Sequence, residues 1–528
     1  MAFISLKFII FIAVVVLVYF LVPKKARWFV LLTASYTFYF ISSRYLILIL
    51  FSGTLITFLT AKAMDRIEQD GQKHIKELEL KSKEKKAYKE QIKKRKKAVL
   101  TIGIILVLGT LIFLKYYNFF ASSVNTVSHV ERGLPILNLL LPLGISFYTL
   151  QAIAYMIDIY RNKYRADTNL PQFMLFMSFF PQIVQGPIAR HDHLAHQLYE
   201  GHDFDYKRMT FGVQLIMWGF FKKLVIADRL NIMTSIIFTE YRNYHGMMIF
   251  LATAAYGIQV YADFSGGVDI ARGFAQIVGI ELEPNFNQPY FATSIEDFWR
   301  RWHMTLGHWM RDYIFYPLAL SKAFTNLSKR SRKIFGQFIG KRLPSFLAMF
   351  IVYLLVGIWH GAEWKFIAYG IWNGVFIMAS ILLVDAYAGA KKRLRINDQS
   401  FGWRLFQMVR TFVIISVGRI ISKAVSLGAA LFMLRSMTDR WYDLSFITDG
   451  SLLQLGLDNA NVILILFCIA ILLVVDLLHE KGYHIRESIS RQFIVFRWAL
   501  FLAVLVCILV MGVWGPNYDA ASFIYGRF

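Results

Sequence analysis

Long uncharged apolar runs alternate with short polar segments along most of the 528-residue chain. A helix of about 20 residues, at roughly 1.5 Å each, crosses the ~30 Å hydrocarbon layer of a bilayer. The pattern therefore predicts an all-α, polytopic membrane protein with about 10–12 transmembrane helices. The clearest runs are residues 8–22, 98–114, 246–261, 366–384, 461–475 and 498–513.

Between residues 170 and 345 the apolar stretches become shorter and are interrupted by Pro, Gly, Asp, Arg and His. Backbone that departs from a regular helix survives at membrane depth only where protein buries it or where it lines a wet cavity. This part is therefore the predicted functional core. The predicted divisions are N-terminal transmembrane helices at 1–61, a basic loop at 62–97, a catalytic core at 98–390, and an interfacial stretch with further transmembrane helices at 391–528.

The positive charge follows the boundaries between the apolar runs. Lys and Arg number 58 against 34 Asp and Glu, a formal net charge of +24, and residues 61–98 alone hold fourteen basic against seven acidic residues. Cytoplasmic loops carry such an excess, and no nucleic-acid-binding module accompanies it. We predict that the segment 62–97 is cytoplasmic and helical, near anionic headgroups, and that the N-terminus lies outside. The first run has no basic start or small-x-small cleavage site, which indicates a retained helix rather than a signal peptide.

His360 is the first candidate for chemistry. Residues 343–362 contain no acidic or basic side chain apart from this imidazole, and a second uncharged run begins after Lys365. A polar group inside a membrane protein is costly and by default suggests a functional site. Two geometries remain open, a hairpin with His360 near one membrane face or a re-entrant segment. A structural histidine with its hydrogen bonds satisfied is the plain alternative.

His303 is the second candidate, in the segment DFWRRWHMTLGHWMRD. Its Trp residues together with Arg300, Arg301 and Arg311 are typical of one helix at a membrane interface. His303 and His308 are five residues apart, so on a helix they point in different directions and do not form a simple metal pair. The alternative role for the histidines is interfacial anchoring.

A metal site has little support in the sequence. The segment HDHLAH at 191–196 offers three histidines, but no Cys, Asp or Glu stands at a recognised zinc spacing, so a polar loop is the favoured interpretation. Cys468 and Cys507 both lie inside apolar runs, which argues against a disulfide framework or a cysteine-based site. We expect neither a metal nor a bound cofactor.

Asp263 and Asp269, in YADFSGGVD, could form an acid–base pair or a cation site. Helix capping or pairing with Arg272 is the favoured interpretation. The chain has no G-x-S-x-G elbow, P-loop or dinucleotide glycine fingerprint, so serine-hydrolase, ATPase and dehydrogenase functions lack their nucleophile or phosphate cradle. No internal repeat is visible, which argues against an inverted-repeat transporter.

Five segments resemble the successive motifs of the membrane-bound O-acyltransferases, over about residues 135–385. They are PLGISFYTLQAIAYMIDIYR, FFPQIVQGPIAR, QVYADFSGGVDIARG, NFNQPYFATSIEDFWRRWHMTLGHWMRDYIFYPL and GIWHGAEWKFIAYGIWNG. SVGRIISKAVSLGAALFMLRSM and FIYGRF are similar to the bacterial branch that includes the alginate O-acetyltransferases. The resemblance implies a helical bundle with re-entrant or interfacial helices around a central funnel, His360 as principal active-site histidine, and His303 as the second functional position.

Further residues are candidates for substrate binding: Trp359, Asn373, Asp263, Arg300, Arg301 and Arg311. Many relatives of this kind have a histidine where this chain has Asn373. An asparagine can form hydrogen bonds but cannot exchange a proton near neutral pH, so the acceptor substrate is expected to differ if this position handles it.

The expected reaction is acyl transfer, with acetyl the expected group, from a cytoplasmic thioester such as acetyl-CoA to a hydroxyl of an extracytoplasmic polysaccharide. His360 would act as general base, since an imidazole titrates near neutral pH, and His303 would position the thioester or stabilise the oxyanion. The resemblance implies the bacterial plasma membrane and allows a secreted acetyltransferase partner. Alternatives are D-alanylation of teichoic acid from a carrier protein, a glycan or ion transporter, and a scaffold.

Overall fold

A computed structural model of the protein describes residues 5–77, 81–128 and 133–514. Within these ranges the chain is helical and contains no β-strand, apart from one isolated bridge between Phe286 and Trp302. The prediction of an all-α membrane protein is confirmed. The α-helices are α1 (Leu6–Leu21), α2 (Arg27–Ser43), α3 (Ile47–Glu77), α4 (Ser82–Ser128), α5 (Ile145–Tyr160), α6 (Leu170–Ser178), α7 (Phe180–Gln185), α8 (His191–Tyr199), α9 (Tyr206–Phe220), α10 (Asp228–Thr239), α11 (Gly246–Ile277), α12 (Ile295–Arg301), α13 (Met304–Met310), α14 (Tyr316–Ala319), α15 (Lys322–His360), α16 (Trp364–Leu382), α17 (Val384–Arg393), α18 (Phe401–Lys423), α19 (Leu427–Ser436), α20 (Asn459–Glu480), α21 (Ile485–Ser490) and α22 (Ile494–Met511).

Short helical turns of other types join several of these helices. Two are π-helical, Phe221–Ala227 and Arg311–Phe315, and each continues directly into the next α-helix. The remaining turns are 3₁₀-helical, at Lys24–Ala26, Arg44–Leu46, Tyr241–Asn243, Pro289–Phe291, Ser445–Ile447 and Ser451–Leu455. π-helical turns are rare in proteins, and those that occur are often found at functional sites.

Nine helical segments in the described ranges are long and apolar enough to cross a bilayer, so the chain is a multi-pass membrane protein. One of the nine, Lys24–Glu77, contains both α2 and α3. The shorter apolar helices α1 and α19 are not counted among these nine segments. With 16 residues, α1 is about 24 Å long, less than the ~30 Å of the hydrocarbon layer. The estimate of about 10–12 spans from the sequence included such shorter runs.

The predicted basic loop is helical at residues 62–77 and 82–97, because α3 and α4 continue past their apolar parts. The two helices pack closely: a Cβ on Gly71 would lie 2.3 Å from the side chain of Ile92. Lys96 Nζ, which is buried, pairs with Glu68 Oε2 at 2.9 Å. The segment is therefore a helical hairpin held by its own contacts, and its cytoplasmic location stays a prediction.

The described helices fall into two compact units. The first comprises residues 1–213 and 271–283. Its α5 is buried on nearly every side, as expected for a central helix that is apolar around its circumference. Phe8, Phe38 and Phe180 bring α1, α2 and α7 together, with ring centroids 5.4–6.3 Å apart.

The second unit comprises residues 214–270 and the described residues from 284 onward, and it contains both candidate histidines. Its main feature for function is the hairpin of α15 and α16. Gly357 and Gly370 face each other there, and a Cβ on Gly357 would lie 2.7 Å from the Gly370 Cα. In α15 the helix is interrupted at Gly336, which has φ +74°. The domain boundaries drawn from the sequence stay predictions.

Candidate active site

His360 is the last residue of α15, and its side chain is buried. Gly361 then leaves the helix in extended conformation, and α16 begins at Trp364. A Cβ at position 361 would lie 2.2 Å from the ring of Phe366, so only a glycine allows the chain to turn this closely. Of the two geometries left open by the sequence, the structure has the hairpin.

His303 lies in a break between two short helices, not in one interfacial helix as predicted. It has φ +47° and ψ +53°, the left-handed conformation that costs a non-glycine residue roughly 1–2 kcal/mol. The break is held by backbone pairing: Asn287 N–H donates to the Arg301 carbonyl at 3.0 Å, and Met304 N–H donates to the Asn285 carbonyl at 3.0 Å. This pairing with a segment far along the chain ends α12 and starts α13, which the local sequence does not show.

The His303 ring contacts both an aromatic side chain and an amide. The ring is buried, with 2% exposure, and meets the edge of Phe264 at a centroid distance of 4.9 Å. Its Nδ1 lies 3.2 Å from Asn285 Oδ1. Burial, with a smaller contribution from nearby His360, lowers the pKa of His303 to about 3. The imidazole is therefore neutral at physiological pH.

Both histidines line one cavity of about 330 Å³ in the second unit. The Trp359 ring contacts both, with centroids 6.0 Å from His303 and 5.2 Å from His360, although Trp359 is not among the lining residues. Most of the wall is apolar or aromatic: Trp299, Trp302, Met304, Leu306, Met310, Phe315, Met349, Val352, Tyr353 and Val356. The cavity therefore brings the ring nitrogens of two histidines to one largely apolar chamber, where they can form hydrogen bonds with a bound substrate.

The three candidate arginines have different surroundings. Arg300 and Arg311 line the cavity, and the side chain of Arg300 is 73% exposed. Arg301 is not among the lining residues; it contacts Asp297 at 3.0 Å and Glu480 at 2.6 Å. Burial raises the pKa of Asp297, but hydrogen bonds from Arg301 and Arg300 outweigh it and hold the pKa below its usual range. Arg301 therefore joins α12 to α20, whereas Arg300 and Arg311 can reach a ligand.

Asn373 is buried in α16 and is not among the residues that line the cavity. Its Nδ2 donates to the Tyr369 backbone carbonyl at 2.8 Å, one helical turn earlier. The Tyr369 ring is 5.9 Å from that of His360. Tyr369 is thus the residue of this pair that neighbours His360, and contact of Asn373 with an acceptor stays a prediction.

Asp263 and Asp269 both pair with lysines of the π-helical turn Phe221–Ala227. Asp263 Oδ1 lies 2.5 Å from Lys223 Nζ, and Asp269 Oδ2 lies 2.7 Å from Lys222 Nζ. The sequence had suggested helix capping or Arg272 as partner and gave no signal for these lysines, which come from a distant segment. Asp263 does not line the cavity, so the pairing supports a structural role.

The histidine cluster HDHLAH forms the start of α8. His191 Nε2 lies 2.7 Å from Asp167 Oδ2, and its ring stacks on Tyr164. Across the described ranges, no group of three or more His, Cys, Asp or Glu side chains is placed to hold a metal ion. His191 therefore serves to tie the start of α8 to the loop before α6.

Sequence reasoning missed two residues that hold the site. Asn285 has no local signal, because only the tertiary fold brings it to His303. Arg419 does have a local sequence signal, because it is a charge within the apolar helix α18, and such a charge suggests function. Its Nη1 donates to the Tyr290 hydroxyl at 2.6 Å, and its guanidinium lies 4.4 Å from the Trp302 ring centroid.

Comparison with known proteins gives a family match over most of this chain. The model of MBOAT, the membrane-bound O-acyltransferase family, matches residues 33–417. The probable alginate O-acetylase AlgI of Azotobacter vinelandii is 33% identical over 341 residues, 64% of this chain and 62% of that protein. The peptidoglycan O-acetyltransferase of Helicobacter pylori is 30% identical over 67% of each chain. The teichoic acid D-alanyltransferase of Streptococcus thermophilus is 29% identical over 49% of this chain and 60% of its own length.

Proposed function

Because this chain belongs to the membrane-bound O-acyltransferase family, we propose that it transfers an acyl group, expected to be acetyl, to hydroxyls of an extracytoplasmic polysaccharide. The observation that carries the proposal is the single cavity lined by His303 and His360. Relatives named alginate O-acetylase and peptidoglycan O-acetyltransferase support this acceptor class. The match spans 62% of the first of these proteins, so the activity and substrates of the whole protein are proposals.

In the proposed reaction His360 is the general base. The hydroxyl oxygen of the acceptor attacks the thioester carbonyl carbon, and its proton passes to His360. The C–S bond then breaks, and His360 returns the proton to the leaving thiolate, which regenerates the neutral base. A positioned base of this kind contributes about 10²–10⁴ in rate. No Ser or Cys lines the cavity, which favours direct transfer over an acyl-enzyme on such a residue.

Acetyl-CoA or another acyl thioester is the proposed donor, as a substrate and not as a resident cofactor. Arg300 and Arg311 at the cavity are the candidates to contact its phosphates. The proposed setting is the bacterial plasma membrane, with residues 62–97 inside and the N-terminus outside. The acyl group would then cross the bilayer while the donor stays inside, and a secreted acetyltransferase partner could receive it.

The test is transfer from labelled acetyl-CoA in membranes that contain the protein, with the labelled product identified by mass. His360→Ala is expected to lower turnover by about 10²- to 10⁴-fold. His245→Ala is the matched control, since His245 is an exposed loop histidine of the same unit. Normal transfer by folded His360→Ala at wild-type abundance would refute the assignment.

D-alanyl transfer from a carrier protein is the second candidate, because teichoic acid D-alanyltransferases are among the relatives. The same membranes supplied with D-alanyl carrier protein in place of acetyl-CoA separate the two donors. A transporter, in contrast, would keep its transport activity after both His303 and His360 are replaced.

A further inference from the structure

The hydrogen bonds around Asn285 determine which nitrogen of His303 carries the proton. Asn285 Oδ1 receives the backbone N–H of Thr305 at 3.1 Å and the Thr305 hydroxyl at 2.9 Å. A backbone N–H can only donate, so the side-chain atom that it contacts must be the amide oxygen. The same oxygen lies 3.2 Å from His303 Nδ1. Since an amide oxygen can only accept, Nδ1 of His303 is the donor.

A neutral imidazole has one N–H, so a proton on Nδ1 leaves a lone pair on Nε2. The position of the ring is fixed as well, because Phe264 packs on it and the left-handed backbone of His303 is held by pairing with residues 285–287. Nε2 can therefore accept a hydrogen bond, but it cannot donate a hydrogen bond to an oxyanion.

We infer that Asn285 is a positioning residue that holds His303 as its Nδ1–H tautomer, so that Nε2 accepts a hydrogen bond from the acceptor substrate. The inference rests on the proposed function. In the proposed reaction, the proton of the reacting hydroxyl goes to His360. The hydrogen bond to His303 Nε2 therefore comes from a neighbouring hydroxyl of the same sugar. The oxyanion role expected for His303 from the sequence then falls to another donor.

Kinetics with three variants test this arrangement. Asn285→Ala removes the acceptor for His303 Nδ1 and is expected to lower kcat/KM for the sugar by about 10- to 100-fold, with KM for the thioester unchanged. Asn285→Asp keeps an acceptor oxygen and is expected to restore most of the lost activity. Thr305→Val is the matched control: it removes one hydrogen bond to Asn285 but leaves the bond to His303, and we expect a loss of less than about 3-fold.

A spectroscopic measurement decides the point without relying on activity. In ¹⁵N-histidine-labelled protein, with His303→Gln used for assignment, the wild-type ring should carry its proton on Nδ1. Asn285→Ala should shift the population toward the Nε2–H tautomer, whereas Thr305→Val should not. A wild-type ring protonated on Nε2, or an unchanged tautomer and unchanged sugar kcat/KM in Asn285→Ala, would overturn the inference. If no acyl transfer is detected, the proposed function fails while the spectrum still decides the tautomer.

Discussion

His303 combines two properties that a sequence does not reveal at a single position. Its backbone is left-handed, and its ring is almost completely buried. Such backbone strain persists only where the surroundings hold the residue in place, and here the hydrogen bonds of Asn285 and the ring of Phe264 do so. The cost in stability is consistent with a residue kept for function.

The buried ring predicts a pH dependence of stability. Below about pH 6.5 the unfolded chain binds a proton at His303, whereas the folded protein does not until about pH 3. Unfolding then takes up a proton, so the free energy of unfolding falls as pH drops from about 6.5 toward 3. Thermal unfolding in detergent should show a steeper loss for the wild type than for His303→Gln over that interval. Parallel pH curves for the two proteins would contradict a neutral buried ring.

At the scale of helices, the packing of α15 against α16 determines the position of His360. The contact depends on glycines, since a Cβ on Gly357 would lie 2.4 Å from the Phe366 carbonyl oxygen. That neighbour is a backbone atom, which cannot move aside as a flexible side chain can. The helices can approach this closely only because small residues lie between them, as in other membrane helix pairs.

Gly357→Ala should therefore separate the two helices. It should also displace His360, which lies one turn further along α15. We expect a lower unfolding temperature, a destabilisation of about 1–3 kcal/mol and reduced turnover. Gly389→Ala in α17 is the control, because nothing lies within 4 Å of the added Cβ, and helix propensity alone should make it neutral or stabilising by up to about 1 kcal/mol. Equal unfolding temperatures and turnover in the two variants would show that the close approach does not matter.

At the scale of the whole molecule, α4 connects two predicted compartments. It has 47 residues, about 70 Å, more than twice the ~30 Å hydrocarbon thickness. Its basic first part and its polar last part should therefore lie on opposite sides of the bilayer. The excess of Lys and Arg predicts that the basic part lies in the cytoplasm.

Cysteine labelling measures this orientation directly. Lys89→Cys should react with a membrane-impermeant maleimide only in inverted vesicles, and Thr126→Cys only in intact spheroplasts. Both side chains are exposed in the same helix, so each is the control for the other. The native Cys468 is buried and Cys507 half-buried, and the wild-type protein measures their background. Labelling of both positions from one side would show that α4 does not cross the membrane as predicted.

The sequence by itself determined the features that depend on composition over a window of residues. Apolar runs near 20 residues identify membrane helices because burial in lipid depends on length and charge and not on particular contacts. His360 was found for the same reason, as one imidazole in an otherwise uncharged run. The resemblance in RRWH and GIWHG added the prediction that the two histidines act in one site.

Only the tertiary structure decided the geometry around them. The helix break at His303 depends on pairing with residues 285–287, and the partners of Asp263 and Asp269 come from Phe221–Ala227. These contacts join residues that are 14 to 47 positions apart in the chain, and no local pattern encodes them. The proton position on His303 likewise follows from one amide oxygen that folding brings within 3.2 Å. A hydrogen bond depends on distance and direction in space, which the order of residues does not specify.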